Sequence, residues 1–145
     1  MQNVLDIKYK LEETAKMEYA EARRRLNMAE DKLHSLHSRK NEYYEEYNLA
    51  IQGNLDFLKI EECANAIDVM NELIENQNEV IKKLCKELEQ ARIRLSEVMQ
   101  ERKMHEKLKE KRFEEFVAEL NSEENKENDE LVSYKYNSTE NDVEE

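Results

Sequence analysis

From Leu11 onward the apolar positions fall at Leu11, Ala15, Tyr19, Ala22, Leu26, Ala29, Leu33 and Leu36, and the rhythm continues through Lys40, Tyr43 and Tyr47. The steps settle into alternating threes and fours, the spacing that keeps one narrow stripe of a helix turned toward a partner helix. Lys40 interrupts the stripe, but its long stem can cover a seam while its ammonium group reaches water. A second stripe runs Phe57, Ile60, Cys63, Ile67, Met70, Ile74, Gln77, Ile81, Leu84, Leu88, Ala91, Leu95 and Val98. Gln77 is its one polar member, and Leu73 and Val80 sit beside the seam and widen it.

Between the stripes lies IQGNLD, residues 51–56. Gly53 can take the left-handed conformation that ends a helix, and Asn54 suits a turn or the cap of the next one. A connection this short sets neighbouring helices antiparallel. The pattern predicts an all-α fold, a long antiparallel two-helix coiled-coil hairpin with a projecting C-terminal helix end. Helix one spans about 4–51, the turn about 52–54 and helix two about 55–120. Because Gly costs only about 1 kcal/mol inside a helix, one unbroken helix that dimerises in parallel is the competing layout. Two separate stripes flanking a Gly-Asn pair favour folding back.

Composition agrees. Charged residues make up 40% of the 145, with no Pro, no Trp and a single Gly. Nothing forces a break inside either helix, and such chains bury a narrow seam in place of a thick core. Cys63 and Cys85 match no metal or redox spacing and read as reduced thiols. The N-terminus lacks a secretory layout and no apolar run is long enough to cross a bilayer, which points to a cytosolic location without membrane insertion.

Folding at Gly53 predicts that opposed residues have numbers adding to about 105, so that Leu11 meets Leu95 and Ile7 meets Val98. Helix one then runs out near residue 102, where the second stripe also fails and gives Arg102, His105, Lys109 and Arg112 in its phase. Beyond that point Met104, Leu108, Phe113, Phe116, Val117 and Leu120 are expected on a face out of phase with the seam. Around them Arg102, Lys103, Lys107, Lys109, Lys111 and Arg112 outweigh Glu106 and Glu110, in a chain whose net charge is −12. A basic band studded with apolar side chains on an unpaired helix suits docking into an acidic cavity of a partner protein. Residues 114–145 then carry twelve Asp or Glu against Lys126 and Lys135. Segment 121–145 reads as an acidic, largely disordered tail that could fold back on the basic band.

The residues exclude most chemistry. One Gly cannot build a phosphate-binding loop. His34 and His37 lie one turn apart but lack a third ligand, and no nucleophile and base come together with any specificity. The reading is no enzyme, no catalytic residue, no metal and no cofactor. The basic band is too short, and the chain too acidic, for nucleic acid.

NEYYEEY at 41–47, ERKMHEKLKEKRFEEF at 101–116 and KENDELVSYKY at 126–136, in that order, resemble the FliJ family of the bacterial flagellar type III export apparatus. The resemblance covers nearly the whole chain. It implies an antiparallel coiled coil similar to the central stalk of rotary ATPases, acting as adaptor and general chaperone at the inner membrane of the flagellar base. It implies three partners: the hexameric export ATPase, the cytoplasmic domain of the transmembrane export gate, and chaperones that carry export substrates. Joined to the basic band, it makes Arg102, Lys103, Met104, Lys107, Leu108, Lys111, Phe113 and Phe116 the expected ATPase-binding residues. Aligned on NEY, it implies a gate-binding surface at Leu36, Arg39, Tyr43, Met70, Leu73 and Gln77. Alone, the chain is expected as a monomer or weak dimer. The rival readings are a self-associating coiled-coil tether and a holdase for unfolded clients.

Overall fold

The computed structural model describes residues 2–53 and 56–144, with the side chains of 3–53 and 56–138, and consists of two α-helices. Helix α1 is Gln2–Gln52 and helix α2 is Phe57–Glu144. Residues 9–99 form one compact unit; residues 1–8 and 100–145 form another.

In the unit of residues 9–99 the helices pack antiparallel along the expected stripes. Ala15, Leu26, Ala29 and Ala50 of α1 are buried, as are Cys63, Ile67, Met70 and Ile74 of α2. These buried positions recur at coiled-coil spacing and form a seam about one side chain wide. Lys40 is half-buried, as its position in the stripe requires, with Nζ 5.7 Å from the centre of the Tyr44 ring. The hairpin rules out the single unbroken helix.

Three details of the stripes differ from expectation. Leu11 is 40% exposed and Glu12, at 5%, takes its place. Counted back from Leu26 in strict sevens, the seam passes through Tyr19 to Glu12 and Leu5, whereas Leu11 falls on the flank. Ile7 is exposed for the same reason, and Phe57, at the first turn of α2, is 75% exposed. Leu73 and Val80 stay exposed and flank the seam without being covered.

The turn also works differently. Gly53 does not adopt a left-handed conformation. Its amide donates to the Leu49 carbonyl at 3.0 Å and closes the last turn of α1. Asp56 caps α2: its Oδ1 accepts from the Lys59 amide at 3.3 Å, and its carbonyl accepts from the Ile60 amide at 3.0 Å. Asn54, the expected cap, lies outside the described residues. The register drifts along the hairpin: it is one position from expectation at Ala29 and Gln77, nearer the turn, and seven positions from it at Glu18 and Arg94. The numbers add to 106 for Ala29 and Gln77 and to 112 for Glu18 and Arg94, against the expected 105.

Helix α2 runs to Glu144, well past its expected end near residue 120. No Gly or Pro follows Gly53 to stop it. A continuous helix also removes the fold-back of an acidic tail on the basic band. Among the described residues no helix is long and apolar enough to cross a membrane.

Candidate partner-binding surfaces

In the unit of residues 1–8 and 100–145, the start of α1 lies against α2 through a polar seam. Lys8 Nζ is 2.9 Å from Glu101 Oε2, and Arg102 Nη1 is 3.0 Å from Glu106 Oε2. The hydrogen bond from Lys8, and then its charge, hold the Glu101 carboxyl below the usual carboxylate range, with a smaller push from His105. Lys8, Arg102, His105 and Glu106 are half-buried and Leu5 is buried. Leu5 lines a shallow groove with Glu106, Lys109, Glu110 and Phe113. The start of α1 therefore covers α2 beyond residue 102, where it was expected to run out. Here Lys8 meets Glu101, four positions beyond the expected register, which accounts for the added length of contact.

From Lys107 to Ser138 every side chain of α2 is exposed. The expected ATPase-binding residues do not share one face. Arg102 belongs to the seam and is ion-paired there. Lys103, Lys107 and Lys111, each four residues apart, form one row, with Met104 and Leu108 in the row beside it. None of these three lysines has an ion-pair partner among the described residues. Phe113 and Phe116 lie elsewhere. Phe116 follows Arg102 and Lys109 by fourteen and seven residues, so it is in phase with the seam and not out of phase as the sequence reading has it. Phe113 and Leu120 flank it at three and four residues.

The expected gate-binding residues belong to the unit of residues 9–99 and divide likewise. Met70 and Gln77 are buried in the seam, and Leu36 and Tyr43 are half-buried there. Gln77, expected as a hint of an exposed contact, instead donates from Nε2 to the Ala29 carbonyl at 2.9 Å. Only Arg39 and Leu73 of the six are exposed. Val69 joins Leu73 and Val80 at spacings of four and seven, giving an exposed apolar row on α2. That spacing is present in the sequence, but the longer buried stripe beside it is the stronger signal.

Among the described residues no three His, Cys, Asp or Glu side chains could hold a metal ion together. Cys63 is buried, as expected of a small apolar side chain, whereas Cys85 is exposed.

A family model described as "Flagellar FliJ protein" matches residues 1–141. No curated protein and no solved structure matches the chain.

Proposed function

This chain belongs to the FliJ family of flagellar proteins, and we propose that it is a non-enzymatic adaptor and stalk of the flagellar export apparatus. It docks the basic row of α2 into an acidic cavity of the export ATPase ring. Through the flank bearing Arg39, Val69, Leu73 and Val80 it meets the export gate and the chaperones of export substrates, at the cytoplasmic side of the inner membrane.

The observation that carries this reading is the row Lys103, Lys107 and Lys111. Three ammonium groups on successive turns, with no ion-pair partner among the described residues, repel one another at low salt, and an acidic partner relieves that repulsion. Met104 and Leu108 alongside supply apolar contact, so the row is more than a solvated face. Opposite charge steers the encounter, and the apolar pair slows release.

Replacing Lys103, Lys107 and Lys111 together by Glu abolishes binding to the purified ATPase at moderate salt and leaves helicity unchanged. Undiminished binding by that variant means the ATPase docks elsewhere.

A further inference from the structure

A second face of the same unit carries the opposite charge. Seen from the seam, Arg102, Lys109 and Phe116 occupy equivalent positions in a seven-residue repeat. At Arg102 that position is half-buried beneath the start of α1; at Phe116 it is open. Phe113, Phe116 and Leu120 continue the line of the seam, and Leu131 and Tyr134 resume it on the same side. Phe113 is 66% exposed and Phe116 56%.

The polar residues among these apolar ones are almost all acidic. Between residues 114 and 138 the chain has eight Asp or Glu against Lys126 and Lys135. Helical spacing puts Glu119, Glu123, Glu124, Glu127 and Glu130 on the side of Phe116 and Leu120. Shallow grooves mark both ends of the face. One joins Leu5 and Phe113 with Glu106, Lys109 and Glu110; the other joins Leu131 and Tyr134 with Glu127 and Glu130.

We propose that this face of α2, from Phe113 to Tyr134, is the docking site for a basic amphipathic helix of another protein. The occupant prolongs the line of α1: its apolar stripe meets Phe113, Phe116, Leu120, Leu131 and Tyr134, and its Lys or Arg flank the stripe. Charge decides against a second copy of this chain, because laying the face on itself in either direction sets glutamates against glutamates. The proposal does not depend on the ATPase reading, which uses a different row of the helix.

The test titrates the full chain with a synthetic amphipathic peptide bearing a leucine stripe and lysines elsewhere, followed by fluorescence anisotropy. A counterpart with glutamates in place of lysines is the control. The lysine peptide binds, the glutamate peptide does not, and added salt weakens binding. Phe116→Ser with Leu131→Ser lowers the affinity about tenfold or more. Changing Glu123, Glu127 and Glu130 to Gln weakens binding and flattens its salt dependence. Leu108→Ser leaves it unchanged. Circular dichroism verifies that each variant keeps its helicity. If the serine pair binds as well as the parent chain, attraction to net charge alone accounts for the peptide and the proposal fails. It fails equally if the peptide does not bind, or if sedimentation shows the chain pairing with itself through Phe116.

Discussion

Gln77 of α2 donates from its side-chain amide to the main-chain carbonyl of Ala29 on α1, 2.9 Å away and shielded from water. That carbonyl belongs to the helical ladder of α1, so the Gln77 bond adds to its bonding without replacing any of it. A polar group at such a seam position costs stability but fixes which residues meet. Gln77→Leu is therefore expected to raise stability by about 1 kcal/mol, since the carbonyl keeps its helical partner. Gln77→Ala, which loses both the bond and the packing, lowers it by about 1–2 kcal/mol. Thermal melts of the two variants followed by circular dichroism decide the matter; a Leu variant less stable than the Ala variant would contradict this account.

Leu11 and Leu26 look alike in the sequence, yet only Leu26 is buried. Leu26→Ala is expected to cost about 2–4 kcal/mol through lost burial and the space left behind. Leu11→Ser should stay within about 0.5 kcal/mol, as surface changes do. Urea denaturation of the pair measures the difference. Equal losses would restore Leu11 to the seam.

How far the sequence was legible follows from these two residues. The seven-residue repeat made the hairpin, its two stripes and the half-buried Lys40 readable, because an apolar seam is imposed by water and leaves its period in the chain. The register was readable to within one residue at Ala29 and Gln77, whereas its drift farther along the seam, to Glu18 and Arg94, leaves no mark in the residue types. Glu12 escaped for a related reason. Apolarity marks a seam only on average, and near the helix start a carboxylate paired to Lys16 Nζ at 3.5 Å fills a position that Leu11 would claim by type. At the candidate sites the composition of the basic band was legible and its division among faces was not. One-letter spacing tolerates a drift of one residue, and one residue turns a helix by about 100°, enough to separate Phe116 from Met104.

Gly53 is expected to tolerate a side chain. Its backbone is not left-handed, and an added Cβ would come 3.3 Å from the Leu49 carbonyl oxygen, which needs only a small adjustment at the helix end. Gly53→Ala should change stability by less than about 1 kcal/mol. A larger loss in the melting curve would indicate that the turn needs glycine's conformational freedom after all.

Glu21 gives the chain a dependence on acid. Hydrogen bonding from Arg24, at 2.6 Å, and then its charge, with Arg25 adding to both, hold the carboxyl down to about 2. A depressed value favours the folded chain above the ordinary carboxylate range, near pH 4.3, and that favour disappears as pH falls toward about 2. Arg24→Gln should raise the Glu21 midpoint toward the ordinary range, as read by NMR titration of its carboxyl carbon. High salt should shift the parent's midpoint the same way, because the pair faces water. A midpoint unmoved by the substitution would exclude Arg24 as the cause.

The two thiols offer a direct test of the seam. Cys63 is buried between the helices in the unit of residues 9–99, while Cys85, on the same helix and in the same unit, faces water. A thiol reagent meets the exposed sulfur without any opening of the fold, but reaches the buried one only when the helices part. One thiol should therefore react rapidly under native conditions and the other slowly, with both fast in denaturant. Cys85→Ser should delete the rapid phase, and Cys63→Ser the slow one. Because opening near Cys63 need not unfold the whole chain, the slow rate reports the local stability of that stretch, and Ile67→Ala, one turn along the same seam, should accelerate it. Two equally rapid phases in the parent chain would mean that Cys63 is not enclosed, and that the helices do not meet along this stripe.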